Sequence, residues 1–180
     1  MILSNFRKPI VSLIIGSSLV SSVVFYEGFT EKAVIPIKND KVTYGSGFTT
    51  REDGSPVRMG DTITRKQSDL RLVKELQKYG DAVKRCAPVD MFQYEYDAFV
   101  SFTYNLGTGT FCKSNIPKYL IEHDYASACR EILKYNKQCT INEETKVKTC
   151  KVIKGLDNRR KDEYKTCIGA NEPKIEGGNK

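Results

Sequence analysis

Glu27, Asp40 and Thr43 place two carboxyl groups and a hydroxyl within a 17-residue window of the chain. Gly45 and Gly47 follow at once. A carboxyl at the start of a helical segment, facing a hairpin that presents another carboxyl, is a layout for glycosidic cleavage. One acid protonates the leaving oxygen. A second group positions water or steadies an oxocarbenium-like transition state. Such residue types also occur together by chance, as the polar surface of a hairpin, so their spacing alone is a weak signal.

The elements that must hold these residues can be read from local patterning. Residues 34–38 and 41–44 are short β-prone runs on either side of Asn39-Asp40, which predicts a hairpin with a tight polar turn. Thr64 and Gln67 have the spacing of a capping box. Behind them Leu72, Val73, Leu76, Tyr79 and Val83 follow helical spacing to about Arg85. Asp90 and Gln93 suggest a second cap. Residues 92–106 are apolar on most faces, so this helix is expected to be central. Shorter helices are predicted at 117–123, 125–135 and 156–167. The tail, 171–180, is rich in Gly and Lys and reads as frayed. The outcome is an α+β chain, a small β-hairpin lobe first and a mostly helical lobe after it.

Composition narrows the function classes. The 180 residues are 39% hydrophobic and 28% charged, with a net charge of +7, which is ordinary globular protein. No basic run with interleaved aromatics points to nucleic acid. With His123 as the one histidine, a His-rich metal site is not expected, and neither is a cofactor. Residues 10–25 form an uncharged run of ten apolar residues, five serines and Gly16, preceded by Arg7 and Lys8. As a helix it spans about 24 Å against a hydrocarbon core of roughly 30 Å. It reads as a weakly held signal anchor or a cleaved signal peptide, so residues 1–25 are expected to tether the chain to an inner membrane. The remainder is then exported to the periplasm of a Gram-negative host. The six cysteines contain no C-x-x-C and read as up to three disulfides in an exported chain. Cys139 and Cys150 flank a polar stretch that looks like a hairpin insertion and are the favoured pair. Cys129 with Cys167 is a second candidate among fifteen possible pairings.

Four segments carry a resemblance to a known family. They are Glu27-Gly28 with Ala33; Thr43-Tyr44-Gly45-Ser46-Gly47-Phe48-Thr49; residues 96–109, ending in Tyr104-Asn105-Leu106-Gly107-Thr108-Gly109; and Gly155-Leu156 leading to Arg159-Arg160 and Glu163. In this order they resemble the phage-type lysozymes of glycoside hydrolase family 24, and the N-terminal run resembles the signal-anchor-release endolysins. The resemblance covers roughly residues 26–167. It implies a two-lobed lysozyme-like fold with a catalytic domain at 26–170, acting as a monomer on peptidoglycan. The bond cut would be the one between N-acetylmuramic acid and N-acetylglucosamine.

Carried over residue by residue, the resemblance makes Glu27 the proton donor and Thr43 the residue that helps hold the attacking water. Pro36 stands nine residues after Glu27, where the family has its aspartate. Asp40 is the only acid between Pro36 and Thr43 and would serve if the hairpin is re-registered. The Glu27-to-Thr43 spacing is one longer than usual in the family, which is in keeping with such a change. Phe48 stands where many members have histidine. A non-catalytic cell-wall-binding protein and a lytic transglycosylase are the alternatives on the same fold.

Overall fold

The apolar run at residues 10–25 folds in two pieces. The computed structural model describes residues 6–36, 40–141, 143 and 145–170. In it Ile10–Ser12 is a single 3-10 turn, residues 13–16 are extended, and helix α1 spans Ser17–Glu27. Eleven residues make a helix of only about 16 Å. Among the described residues no helix is long and apolar enough to cross a membrane. The inner-membrane tether through residues 10–25 is therefore overturned, and with it the tethered-then-periplasmic localisation. The serines explain why. Ser17, Ser18, Ser21 and Ser22 face solvent, while Leu19 and Val23, four residues apart, are buried. The dilution that suggests a weak anchor is the polar face of a short core helix.

The chain divides into two compact units. One comprises residues 14–80 and the other residues 1–13 with 81–180. In the first, strand β1 (Thr30–Val34) pairs antiparallel with β2 (Thr43–Gly45). Thr30 lies opposite Gly45 and Val34 opposite Thr43, so β1 advances four residues while β2 advances two. That irregularity is a bulge in β1. The hairpin is thus shifted from the expected one: its first strand starts at Thr30 and ends before Pro36, which has no N–H to give a ladder. Ile37, Lys38 and Asn39, where the tight turn is expected, lie outside the described residues. Ala33 N–H donates to Asp61 O at 2.9 Å and Ile63 N–H to Glu31 O at 2.9 Å, giving β1 a second neighbour. Helix α2 (Arg65–Cys86) starts at the expected box: Thr64 N–H and Gln67 Oε1 meet at 3.0 Å, and Gln67 N–H reaches Thr64 Oγ1 at 3.3 Å.

In the second unit α3 (Gln93–Leu106) is the central helix, with residues 95–103 all buried. Its cap differs from the expected Asp90–Gln93 pair. Glu95 Oε2 accepts the Phe92 N–H at 2.8 Å, and Glu95 also takes a bidentate ion pair from Arg7 at 3.0 and 2.7 Å. The Arg7 guanidinium stacks 3.6 Å over Tyr125. Lys8 and Met91 exchange backbone hydrogen bonds at 2.9 and 3.0 Å, and Lys84 Nζ donates to Leu13 O at 2.7 Å. The charge of Arg7 is therefore built into this unit, and Lys8 is tied to it through its backbone. Helices α4 (Thr108–Lys113), α5 (Ile116–Ile121), α6 (Tyr125–Ile132) and α7 (Lys154–Cys167) complete it, with strands β3 (Lys137–Ile141) and β4 (Lys148–Val152) between the last two.

All six cysteines are paired: Cys86–Cys112, Cys129–Cys167 and Cys139–Cys150. The favoured pair, Cys139–Cys150, and the second candidate, Cys129–Cys167, are both present. The loops they close contain 26, 38 and 11 residues by sequence separation. A closed loop of such length removes about 3–4 kcal/mol of unfolded-state entropy in the chain-entropy account. The fold is the expected α+β arrangement, a small β-hairpin in the N-terminal half and a larger helical portion.

Candidate active site

Glu27 is the last residue of α1, not the first of a helix as its spacing suggests. The helix stops there because Gly28 adopts φ +73°, a left-handed conformation natural to glycine, while its N–H closes the last turn on Val24 O at 2.8 Å. The Glu27 side chain is exposed. Two residues later the chain enters β1, and the Thr30–Gly45 pairing brings the end of β2 alongside. A methyl group built on Gly47 would sit 4.0 Å from Glu27 Oε2. Gly47 itself has φ +83°. Glycine here lets the backbone turn tightly next to the carboxylate.

The loop that carries Gly47 is fixed from α2. Tyr44 and Phe48 exchange backbone hydrogen bonds at 3.1 and 3.0 Å, closing a five-residue loop. Ser46 is buried, and its N–H and hydroxyl both lie 3.2 Å from Ser68 Oγ. A Cβ on Gly45 would come within 2.8 Å of that same Ser68 oxygen. Arg71, one turn further along α2, is also buried. It donates to Thr50 O at 2.6 Å and Thr50 Oγ1 at 3.0 Å, and stacks 4.2 Å over the Phe48 ring.

Thr43 is half-buried at the start of β2, opposite Val34. Asp40 lies in the connection before it, exposed, with Oδ1 accepting the Lys41 N–H at 2.7 Å. Four other acids of this unit, Asp53, Asp61, Asp69 and Glu75, are occupied. Asp61 takes a bidentate pair from Arg51 at 2.7 and 2.8 Å and the Arg58 N–H at 2.8 Å. The Arg51 hydrogen bond, helped by that N–H, holds its carboxyl below the usual range. Asp53 accepts from the Ser55 hydroxyl and N–H, which lowers it likewise. Asp69 pairs with Arg65 and Glu75 with Lys78. A concavity of about 360 Å³ beside β2 is lined by Tyr44, Arg51, Asp53 and Asp61 among others, and Glu27, Asp40 and Thr43 are not part of its wall.

A profile of the phage lysozyme family matches residues 24–163, a stretch that begins within α1 and includes Glu27, Thr43 and the whole central helix. The chain belongs to the phage lysozyme family. The endolysin of Bacillus phage PZA is 34% identical over 149 residues, which is 82% of this chain and 51% of that protein. The endolysin of Salmonella phage P22 is 34% identical over 95 residues, 53% of this chain and 65% of that protein. The chain spans about half the length of the Bacillus phage relatives it matches. Among solved structures, an endolysin from Escherichia coli O157:H7 phage FAHEc1 superposes with a TM-score of 0.77 at 27% identity. The match covers 94% of this chain and 100% of that one.

Within this phage lysozyme, Arg71 is the functional-site residue that sequence reasoning passed over. Its signal was faint: an arginine on the apolar side of α2, one position before Leu72. Among the described residues no carboxylate pairs with it, so neutral acceptors and the Phe48 face stabilise its charge. Phe48 gives the guanidinium a ring to stack on. Arg71→Met keeps most of the aliphatic stem and removes every donor. It is expected to cost about 1.5–3 kcal/mol, the range for hydrogen bonds to a charged group. Arg71→Lys should recover only part, because an ammonium lacks the planar fork. Urea unfolding midpoints measure both. A midpoint unchanged in Arg71→Met would mean that the guanidinium holds nothing.

Proposed function

We propose that this phage lysozyme is a muramidase that hydrolyses the β-1,4 bond between N-acetylmuramic acid and N-acetylglucosamine in peptidoglycan, causing host cell lysis. The observation that carries the reading is Glu27 at the glycine-terminated end of α1, with the Gly47 turn against its carboxylate. A proton donor for a glycosidic oxygen needs open space in front of it, and a glycine turn beside it leaves room for a sugar ring. In this reading Glu27 delivers its proton to the leaving oxygen as the C–O bond lengthens. The Thr43 hydroxyl and the Asp40 carboxylate hold the water that attacks the anomeric carbon. The proton lost by that water replaces the one given up by Glu27, so the cycle closes.

Two facts support Asp40 as the second carboxylate. The bulge in β1 lies between Glu27 and Pro36, so a count along the sequence does not by itself fix which residue reaches the site. Asp61, Asp53, Asp69 and Glu75 already serve ion pairs or turns, whereas among the described residues the Asp40 carboxylate accepts the Lys41 N–H. Asp40→Ala is expected to lower kcat about 100-fold, within the usual contribution of a general acid or base. A loss smaller than about threefold would leave Asp40 as a turn residue, since that falls far short of such contributions.

Mass spectrometry of purified sacculi digested by the protein tests the reaction itself. Hydrolysis leaves reducing muramic acid ends. Anhydro-sugar ends would identify a lytic transglycosylase instead, which needs the glutamate but no held water. Intact sacculi would leave only wall binding.

A further inference from the structure

Strands β3 and β4 form a hairpin that buries nothing. All ten of their residues are exposed. A two-stranded hairpin is marginally stable in water by itself, and here two devices hold it. Cys139 and Cys150 are directly opposed in the ladder and joined by a disulfide. At its base Ile153 N–H donates to Asn136 O at 3.0 Å, and the Asn136 side chain donates to Asp157 on α7 at 2.7 Å. A covalent brace on an element that adds nothing to the core preserves the surface of that element.

That surface is cationic. Residues 137–154 contain Lys137, Lys146, Lys148, Lys151 and Lys154 against Glu143 and Glu144, a net +3 out of the whole chain's +7. Among the described residues none of the five lysines takes part in an ion pair, whereas Lys134, Lys161 and Lys165 on the neighbouring helices do. The ladder register places Lys137 opposite Val152 and Lys148 opposite Ile141 on one face, with the Cys139–Cys150 bridge between these pairs, and Lys151 opposite Gln138 on the other. The segment has no aromatic residue. Interfacial lipid anchors use a continuous apolar wedge with Trp or Tyr. Lysines on both faces of a stiff ribbon suit a polymer whose carboxylates are spaced along it and can pass on either side.

We propose that the β3–β4 hairpin is a docking arm for the carboxylate-bearing peptide stems of peptidoglycan. The anionic chemistry of the partner follows from the hairpin; the choice of a cell-wall polymer rests on the muramidase reading. The arm holds the enzyme on its insoluble substrate and takes no part in bond cleavage.

The test compares the full chain with the triple variant Lys137→Gln/Lys148→Gln/Lys151→Gln. Co-sedimentation is measured with purified sacculi, with sacculi whose stem carboxylates have been amidated, and with phosphatidylglycerol vesicles. Cleavage of a short soluble glycan is followed in parallel. The variant should bind native sacculi about tenfold more weakly at low salt, three exposed charge contacts being lost. It should match the parent on amidated sacculi and on the soluble glycan. If neither protein cleaves any glycan while lysine-dependent binding persists, the arm stands and the muramidase reading falls. Equal binding of parent and variant to native sacculi would overturn the arm. Undiminished binding of the parent to amidated sacculi would do the same, as would tighter binding to vesicles than to sacculi.

Discussion

Glu27→Gln is expected to lower the rate of glycan cleavage by about 10²–10⁴-fold, the range for removing a positioned general acid, and to leave the fold intact. The structure makes the second half of this expectation firm. Glu27 is exposed at the end of α1, so the substitution leaves no space in the core, and glutamine has nearly the same helix propensity as glutamate. The amide keeps the size of the carboxyl but has no proton to deliver to a leaving oxygen. The gap between Gly47 and the side chain is also kept, so substrate still fits. The effect should therefore fall on kcat and spare KM. Release of dye from labelled sacculi measures the rate, and circular-dichroism melting checks the fold. A folded variant that retains most of its activity would remove Glu27 from the role.

How far the sequence could be read depended on how local each determinant is. The start of α2 was legible because Thr64 and Gln67 recognise each other three residues apart. The Cys139–Cys150 hairpin was legible for the same reason. The start of α3 was not. Asp90 and Gln93 have a plausible cap spacing, but Glu95 takes the cap because Arg7, 88 residues away, holds it in place. The β1 register was also hidden. It is set by bonds from Ala33 and Glu31 to residues 61 and 63, across a loop whose own course depends on the Arg51–Asp61 pair.

The run at residues 10–25 shows the limit most clearly. Hydropathy records that a segment avoids water but not what covers it. Leu19 and Val23 are buried in protein, as are Ile10 and Leu13. An i, i+4 pair with serines between is the pattern of a short amphipathic helix. Length decides against a membrane span only once the extended break at residues 13–16 is known. In the first unit the order of Glu27, hairpin and glycine loop was legible, while the position of Glu27 at a helix end and the clamp from Arg71 were not. Both depend on glycine conformations and on packing between residues 21 or 22 positions apart, as in Arg71–Thr50 and Ser46–Ser68.

Glu163→Ala is expected to destabilise the protein by about 3–5 kcal/mol, the cost of breaking a buried ion pair from one side. Glu163 sits between two arginines on α7, with Arg159 Nε at 3.3 Å and Arg160 Nε at 2.8 Å. Exposure is 5% for Arg159, 0% for Arg160 and 4% for Glu163, so none of the three charges has water to fall back on. Burial pushes the Glu163 carboxyl up, while Arg160, the Ser101 hydroxyl at 2.8 Å and Arg159 pull it back. Removing the carboxylate leaves the buried guanidiniums of two consecutive residues with no anion between them. The damage should reach α3, because Arg160 also donates to Asn105 Oδ1 at 3.0 Å, two residues before the Gly107 turn at φ +86°. Glu163→Gln keeps an acceptor for Ser101 and should lose less than alanine, though it too removes the charge. The triple replacement of Arg159, Arg160 and Glu163 by apolar residues of similar volume should cost less than Glu163→Ala alone, since it leaves no stranded ion. Urea unfolding of the oxidised protein gives all three values. A loss below about 1 kcal/mol for Glu163→Ala, the level of an exposed pair, would mean that the arginines find other partners and that the triad does not fix α7 to α3.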